Sequence, residues 1–202
     1  MCGVGTRVYS SPLLPYNSDV ARIPSNNSLP RAGARGSRHA WNYPLYLYNR
    51  SLRSLHGFRA QEDPQESFLL NAQAAESGMR DAVLAMGWFY LNGVGVEPDI
   101  EEAKRWYKKS ARQGDPRAMF SLGQMAYDEQ DYTDALVWFR RAADKDHARS
   151  LFWIGKLLWR GLGTSTDKKQ GMALFQKAGA AKVPEARRVV RFLSRHTARP
   201  KR

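Results

Sequence analysis

The chain has 202 residues and a mass of 22.9 kDa, enough for one domain with a core or a smaller domain with a tail. Lys and Arg number 32 against 19 Asp and Glu, for a net charge of +13 and a pI near 10.1. This balance points first to nucleic acid, an anionic membrane or an acidic partner. The single cysteine, Cys2, excludes an intramolecular disulfide framework and a cysteine-based zinc cage.

The charge is unevenly placed. Residues 1–63 carry a net +5, residues 64–185 only +1, and residues 186–202 carry +7. The excess therefore belongs to the two ends. No apolar run reaches the roughly 18 residues of a membrane span, so no integral membrane protein is expected. The N-terminus shows no secretory pattern either.

Residues 1–40 hold six Ser, four Pro and four Gly, and read as a disordered leader. Their Arg-rich, acid-poor composition is similar to a mitochondrial transit peptide, without a clean amphipathic helix. The expected location is cytoplasmic, with mitochondrial as the alternative if residues 1–40 are such a peptide. Residues 41–65 form an N-terminal helix and cap region, with a weak helix over 43–56. The array proper spans 66–190, and 191–202 is a basic C-terminal cap and tail.

Eight helices are predicted after that, at 64–77, 82–92, 100–113, 116–128, 132–145, 147–160, 168–181 and 184–196. Asp81, Asp99, Asp115 and Asp167 stand where N-caps are needed. Pro116 suits a first helical position. Gly78 and Gly114 suit the residue just past a helix.

The helices recur with a period. A slide of 36 residues moves Ala82, Met86 and Gly87 onto Ala118, Leu122 and Gly123. A further 32 reaches Ser150, Ile154 and Gly155, and 36 more brings Ser150 to Ala186. Such a period without strand alternation signals stacked helical hairpins. Trp106 and Trp138 are expected to fill the space between hairpins, and Val96 to dock into the core. Ala186, Val189, Val190 and Leu193 form the apolar stripe of a terminal cap helix.

One unit carries Ala82, Gly87, Tyr90, Gly93, Gly95, Val96, Asp99, Ala103, Trp106, Tyr107, Ala111 and Gly114. A later unit keeps Gly155, Gly161, Gly163, Asp167, Leu174 and Phe175. The middle one keeps Ala118, Leu122, Gly123, Ala135, Trp138, Phe139 and Ala143, with four residues fewer in its loop. This pattern resembles the Sel-one-like repeat, a relative of the tetratricopeptide repeat. The resemblance implies an all-α fold, an α-solenoid of stacked helical hairpins, over about residues 66–190.

Chemistry-bearing motifs are lacking. Gly93-Val-Gly95 and Gly161-Leu-Gly163 follow no strand and lack the Gly-Lys-Ser/Thr of a phosphate loop. His39, His56, His147 and His196 share no metal-ligand spacing. Glu101 with Glu102, and Asp128 with Glu129, suit capping and solvation. No catalytic, cofactor-binding or metal-binding residue is therefore assigned, and the chain is not expected to be an enzyme.

The expected function is a protein–protein adaptor that holds a peptide or protein in a helix-lined groove. Columns between the core positions nominate Trp88, Asn92, Gln124, Asp128, Trp153, Lys156, Trp159 and Arg160. Tryptophans beside arginine are typical binding hot spots. The same tryptophans would equally serve to pack against Trp41, Tyr43, Tyr46 and Tyr48 of the N-terminal segment. The alternative function is docking on an anionic surface (acidic protein, lipid or nucleic acid) through Arg187, Arg188, Arg191 and Arg195. Nucleic-acid attraction is expected only as a non-specific, salt-sensitive effect.

Overall fold

The computed structural model describes residues 47–52 and 63–197, and all regular structure among them is helical. The leader 1–40 and residues Trp41, Tyr43 and Tyr46 lie outside the described residues. Helix α1 is described over 47–52. It is followed by α2 (Pro64–Glu76), α3 (Arg80–Asn92), α4 (Ile100–Arg112), α5 (Pro116–Asp128), α6 (Tyr132–Ala143), α7 (Ala148–Arg160), α8 (Lys168–Ala180) and α9 (Pro184–Thr197).

The helices start where the aspartates put them. Asp63, Asp99, Asp131 and Asp167 each accept a hydrogen bond from the amide three residues on, and Asp115 from that of Arg117. These caps satisfy donors that the helix leaves free. Asp81 is a correction. The N-cap of α3 is Met79, which makes no side-chain cap, and Asp81 lies within the first turn. The turn after α2 closes by Gly78 donating to Ala75 and Met79 donating to Ala74. That closure starts α3 two residues early, and Asp81 then acts on the helix dipole.

The described residues fall into two compact units that part between Gln113 and Gly114. In the first, α2 packs on α3 and α3 on α4. Leu47, Tyr48, Leu70, Ala74, Val83, Met86 and Phe89 build its core. Ser51 and Ser67 fasten α1 to α2, each hydroxyl donating to the other's carbonyl at 2.8 and 2.9 Å. In the second unit the helices pack in chain order from α5 to α9. Ala178, Val183 and Ala186 close its last hairpin.

One device recurs in three hairpins. A Cβ placed on Gly87 would stand 2.6 Å from the Tyr107 ring, one on Gly123 2.7 Å from Phe139, and one on Gly155 2.9 Å from Phe175. Each first helix therefore gives up a side chain so that an aromatic ring of the second helix can lie flat against it. Tyr107, Phe139 and Phe175 are buried. Trp106 and Trp138 are only half-buried; Trp106 packs against the core cluster of the first unit, whereas Trp138, expected between hairpins, donates its indole N–H to Asp134 at the surface. Helical geometry turns the preceding residue about 100° away, so the tryptophans lie at the rim, where Lys109 and Arg141 cover them.

The long loops also repeat. Gly95 and Gly163 have φ of +68° and +66°. A Cβ on Gly95 would collide with the carbonyl of Pro64, and one on Gly163 with the backbone of Tyr132. Each loop thus seats on the first turn of the preceding hairpin's second helix. Val94 packs against the core cluster of the first unit, whereas Val96 is half-buried beside it.

Candidate functional site

The residues nominated from the columns separate in space. Trp88 and Asn92 belong to α3 in the first unit. Trp88 packs against the cluster that contains Leu47 and Tyr48, edge-on to Phe89 at 5.4 Å. Asn92 turns back along its own helix and donates to the Trp88 carbonyl at 2.9 Å.

The other six lie in the second unit. Gln124 and Asp128 sit on α5, on either side of Tyr127, with Gln124 half-buried and Asp128 exposed. Trp153 and Lys156 of α7 meet Tyr127 directly. Tyr127 lies edge-on to Trp153 with ring centres 4.8 Å apart, and Trp153 stacks on Phe139 at 5.5 Å. The Lys156 ammonium rests 4.2 Å from the Trp153 ring centre and 4.6 Å from that of Tyr127. A cation held between two ring faces is attracted by both quadrupoles. Its position is fixed while one side stays open to water.

Trp159 points elsewhere. Its ring meets Phe175 at 6.1 Å, with Lys168 at 6.0 Å, so it serves the α7–α8 hairpin. Arg160 ends α7 and is exposed. Tyr127, Tyr132 and Arg149 are not among the nominated residues. Tyr132 sits 5.3 Å from Tyr127 and extends the aromatic group. Arg149 was readable from spacing, because residues 149, 153, 156 and 160 share one helical face.

Behind this face is a buried polar cluster. Asp115 is 5% exposed and receives Arg117 through Nε at 3.1 Å and Nη2 at 2.7 Å. Burial pushes its carboxyl up, but the hydrogen bonds and charge of Arg117 win and hold it below the ordinary range. His147 lies against Phe120 at 4.7 Å, with Nδ1 2.9 Å from the Ser150 hydroxyl. Burial, helped by Arg149 and Arg117 and opposed by Asp115, pushes the imidazole down to about 4. The ring is neutral at pH 7. Ser150 is fully buried, and Asp115 acts on His147 as a nearby charge.

The four arginines of α9 divide as well. All are exposed, yet Arg187 donates from Nε to the Gly179 carbonyl at 2.9 Å and caps α8. Arg188, Arg191 and Arg195 share a face with Phe192, which is 59% exposed. Among the described residues no helix is long and apolar enough to cross a membrane. Nor, among the described residues, does any group of three or more His, Cys, Asp or Glu stand ready to hold a metal ion.

The Sel1 repeat profile matches residues 80–115, 116–147 and 148–182. A 70-residue stretch is 39% identical to a chitin synthase regulator SKT5 of Malassezia restricta, covering 35% of this chain and 5% of that protein. A 62-residue stretch is 36% identical to the chitin synthase regulator SKT5 of Saccharomyces cerevisiae, covering 31% and 9%. The likeness thus spans less than a tenth of either curated relative. Among solved structures, a Sel1 repeat protein from Oxalobacter formigenes superposes with a TM-score of 0.71 at 25% identity, over 76% of this chain and 64% of that one. The protein c5321, a protective antigen of uropathogenic Escherichia coli with an SLR fold, gives 0.69 at 25% identity, over 81% and 36%.

Proposed function

The chain belongs to the Sel1 repeat family, and from that premise we propose that it is a non-catalytic adaptor that docks a protein or peptide on its first-helix surface. Sel1 repeat proteins are in general scaffolds for protein–protein interaction. The observation that carries the reading is the Tyr127–Trp153–Lys156 group, an ordered cation on two half-buried rings. Gln124 and Arg160 flank it. That two relatives are named regulators of an enzyme is consistent with a role without chemistry of its own.

The test is capture by the intact chain compared with Lys156→Glu, Arg160→Glu and Gln124→Ala, each shown to be folded by circular dichroism. Proteins retained by wild type and lost with these variants support the surface. Identical captured sets place the interaction elsewhere.

A second reading is docking of α9 on an anionic surface, favoured by the exposed Phe192 among Arg188, Arg191 and Arg195. Vesicles of phosphatidylserine should then bind wild type and release it when the three arginines become glutamine. The location proposed is the cytoplasm, or the mitochondrion if residues 1–40 act as a transit peptide. Imaging with and without residues 1–40 decides between them.

A further inference from the structure

The α7 helix carries three bases and no acid along its 13 residues. Arg149, Lys156 and Arg160 fall on one face with Trp153 between them, because offsets of 4, 7 and 11 return to nearly the same angle. None of the three makes an ion pair with a carboxylate among the described residues. On the neighbouring α5, Asp115 is occupied by Arg117, and Asp128 stands at the far end. The face is therefore positive at Arg149 and Lys156, with an aromatic floor made by Trp153 and Tyr127.

We propose that this face takes an acidic, extended peptide segment with an apolar side chain between its carboxylates. The claim rests on the adaptor reading above and specifies its ligand. Arg149 and Lys156 are seven residues apart, about 10.5 Å along a helix. An extended chain covers that distance in about three residues. Arg160 lies about 6 Å further, or roughly two more residues of strand. Side chains of an extended chain alternate between two faces, so the carboxylates that can meet the three cations in order fall at i, i+4 and i+6, the flexible Arg and Lys side chains taking up the remaining distance of about 3 Å. The apolar residue at i+2, on the same face and between the first two carboxylates, lies over Trp153. The Lys156 ammonium is already immobilised by the rings, so little side-chain freedom is lost when a carboxylate arrives.

The probe is the peptide Gly-Glu-Ser-Leu-Ser-Glu-Ala-Glu-Gly, blocked at both ends, titrated calorimetrically into the full chain at low salt. Its counterpart with every Glu replaced by Gln is the control. The expected result is at least tenfold tighter binding of the Glu peptide, weakening as salt rises. Arg149→Gln and Lys156→Gln should each lose about fivefold or more, while Lys156→Arg, which keeps the charge, retains affinity. Equal binding of the two peptides overturns the acidic specificity and leaves the adaptor reading standing. No binding of either overturns this ligand class, and the capture experiment then decides the adaptor reading alone. Full affinity in the Arg149→Gln and Lys156→Gln chains overturns the site. If Arg188→Gln or Arg191→Gln abolishes binding instead, the acidic segment belongs to α9.

Discussion

Gly123 offers a test in which two physical effects have opposite signs. In an α-helix interior, glycine to alanine ordinarily stabilises by about 1 kcal/mol. At Gly123 the new Cβ would stand 2.7 Å from Cδ1 and Cε1 of Phe139. Ordinary contact begins near 3.4 Å, so the ring must retreat by about 0.7 Å from a repulsive wall. It has nowhere to go, with Phe120 tilted against it at 5.6 Å and Trp153 stacked at 5.5 Å. Overpacking of this kind costs about 1–3 kcal/mol. Gly123→Ala should therefore fail to stabilise, with a net cost of about 0–2 kcal/mol after the propensity gain is subtracted.

Gly179 is the control, in the same unit and also helical. Its nearest neighbour to an added Cβ is the flexible Arg187 side chain at 3.5 Å. Gly179→Ala should stabilise by about 0.5–1 kcal/mol. Urea unfolding of both variants, followed by circular dichroism, gives the two signs. In Gly123→Ala/Phe139→Leu the two changes should be less costly together than their sum. If Gly123→Ala raises the midpoint as Gly179→Ala does, the ring-on-glycine explanation of this repeat position is wrong.

Three further outcomes are expected. The folded-state pKa of His147 is about 4 and its ordinary value 6.5, so its contribution is complete above pH 6.5 and falls away as pH drops toward 4. With the linkage discounted for partial exposure, wild type should lose about 1 kcal/mol more than His147→Gln between pH 7 and pH 5, and equal losses in urea titrations would refute this. Lys182 has φ of +65° just past α8, and Lys182→Gly should raise the thermal midpoint through relief of about 1 kcal/mol of left-handed strain; an unchanged or lower midpoint counts against it. Tyr107→Ala should cost about 3–5 kcal/mol, and Trp138→Ala, half-buried at the rim, less than half of that; equal costs in denaturant titrations would restore the tryptophans to the core.

The helix boundaries were legible because aspartate, proline and glycine act within one turn of the residues they govern. Asp99 and Asp167 cap where the spacing places them. Asp81 is the exception because the local closure of Gly78 on Ala75 and of Met79 on Ala74 starts the helix ahead of it. The period identified the apolar columns but not which of two adjacent aromatics turns inward. Trp106 and Tyr107 differ only by helical phase against the facing Gly87. The candidate site was less legible. Trp153 and Lys156 stood out as surplus to the repeat, but their partner Tyr127 lies 26 positions upstream of Trp153. Only the packing of one first helix beside the next brings them together.

The seating of Gly95 on Pro64 and of Gly163 on Tyr132 has a consequence for dissection and exchange of parts. Each glycine loop is a latch whose catch belongs to the hairpin before it. The short connection between α5 and α6 carries no glycine. Hairpins are thereby fastened in twos, α1–α2 with α3–α4 and α5–α6 with α7–α8. A fragment beginning at Gly114 keeps both halves of its latch. One beginning at Ala148 keeps the glycine and loses the backbone that receives it. The transferable module of this chain is therefore a latched pair of hairpins, and grafts made repeat by repeat would leave a loop with nothing to close on.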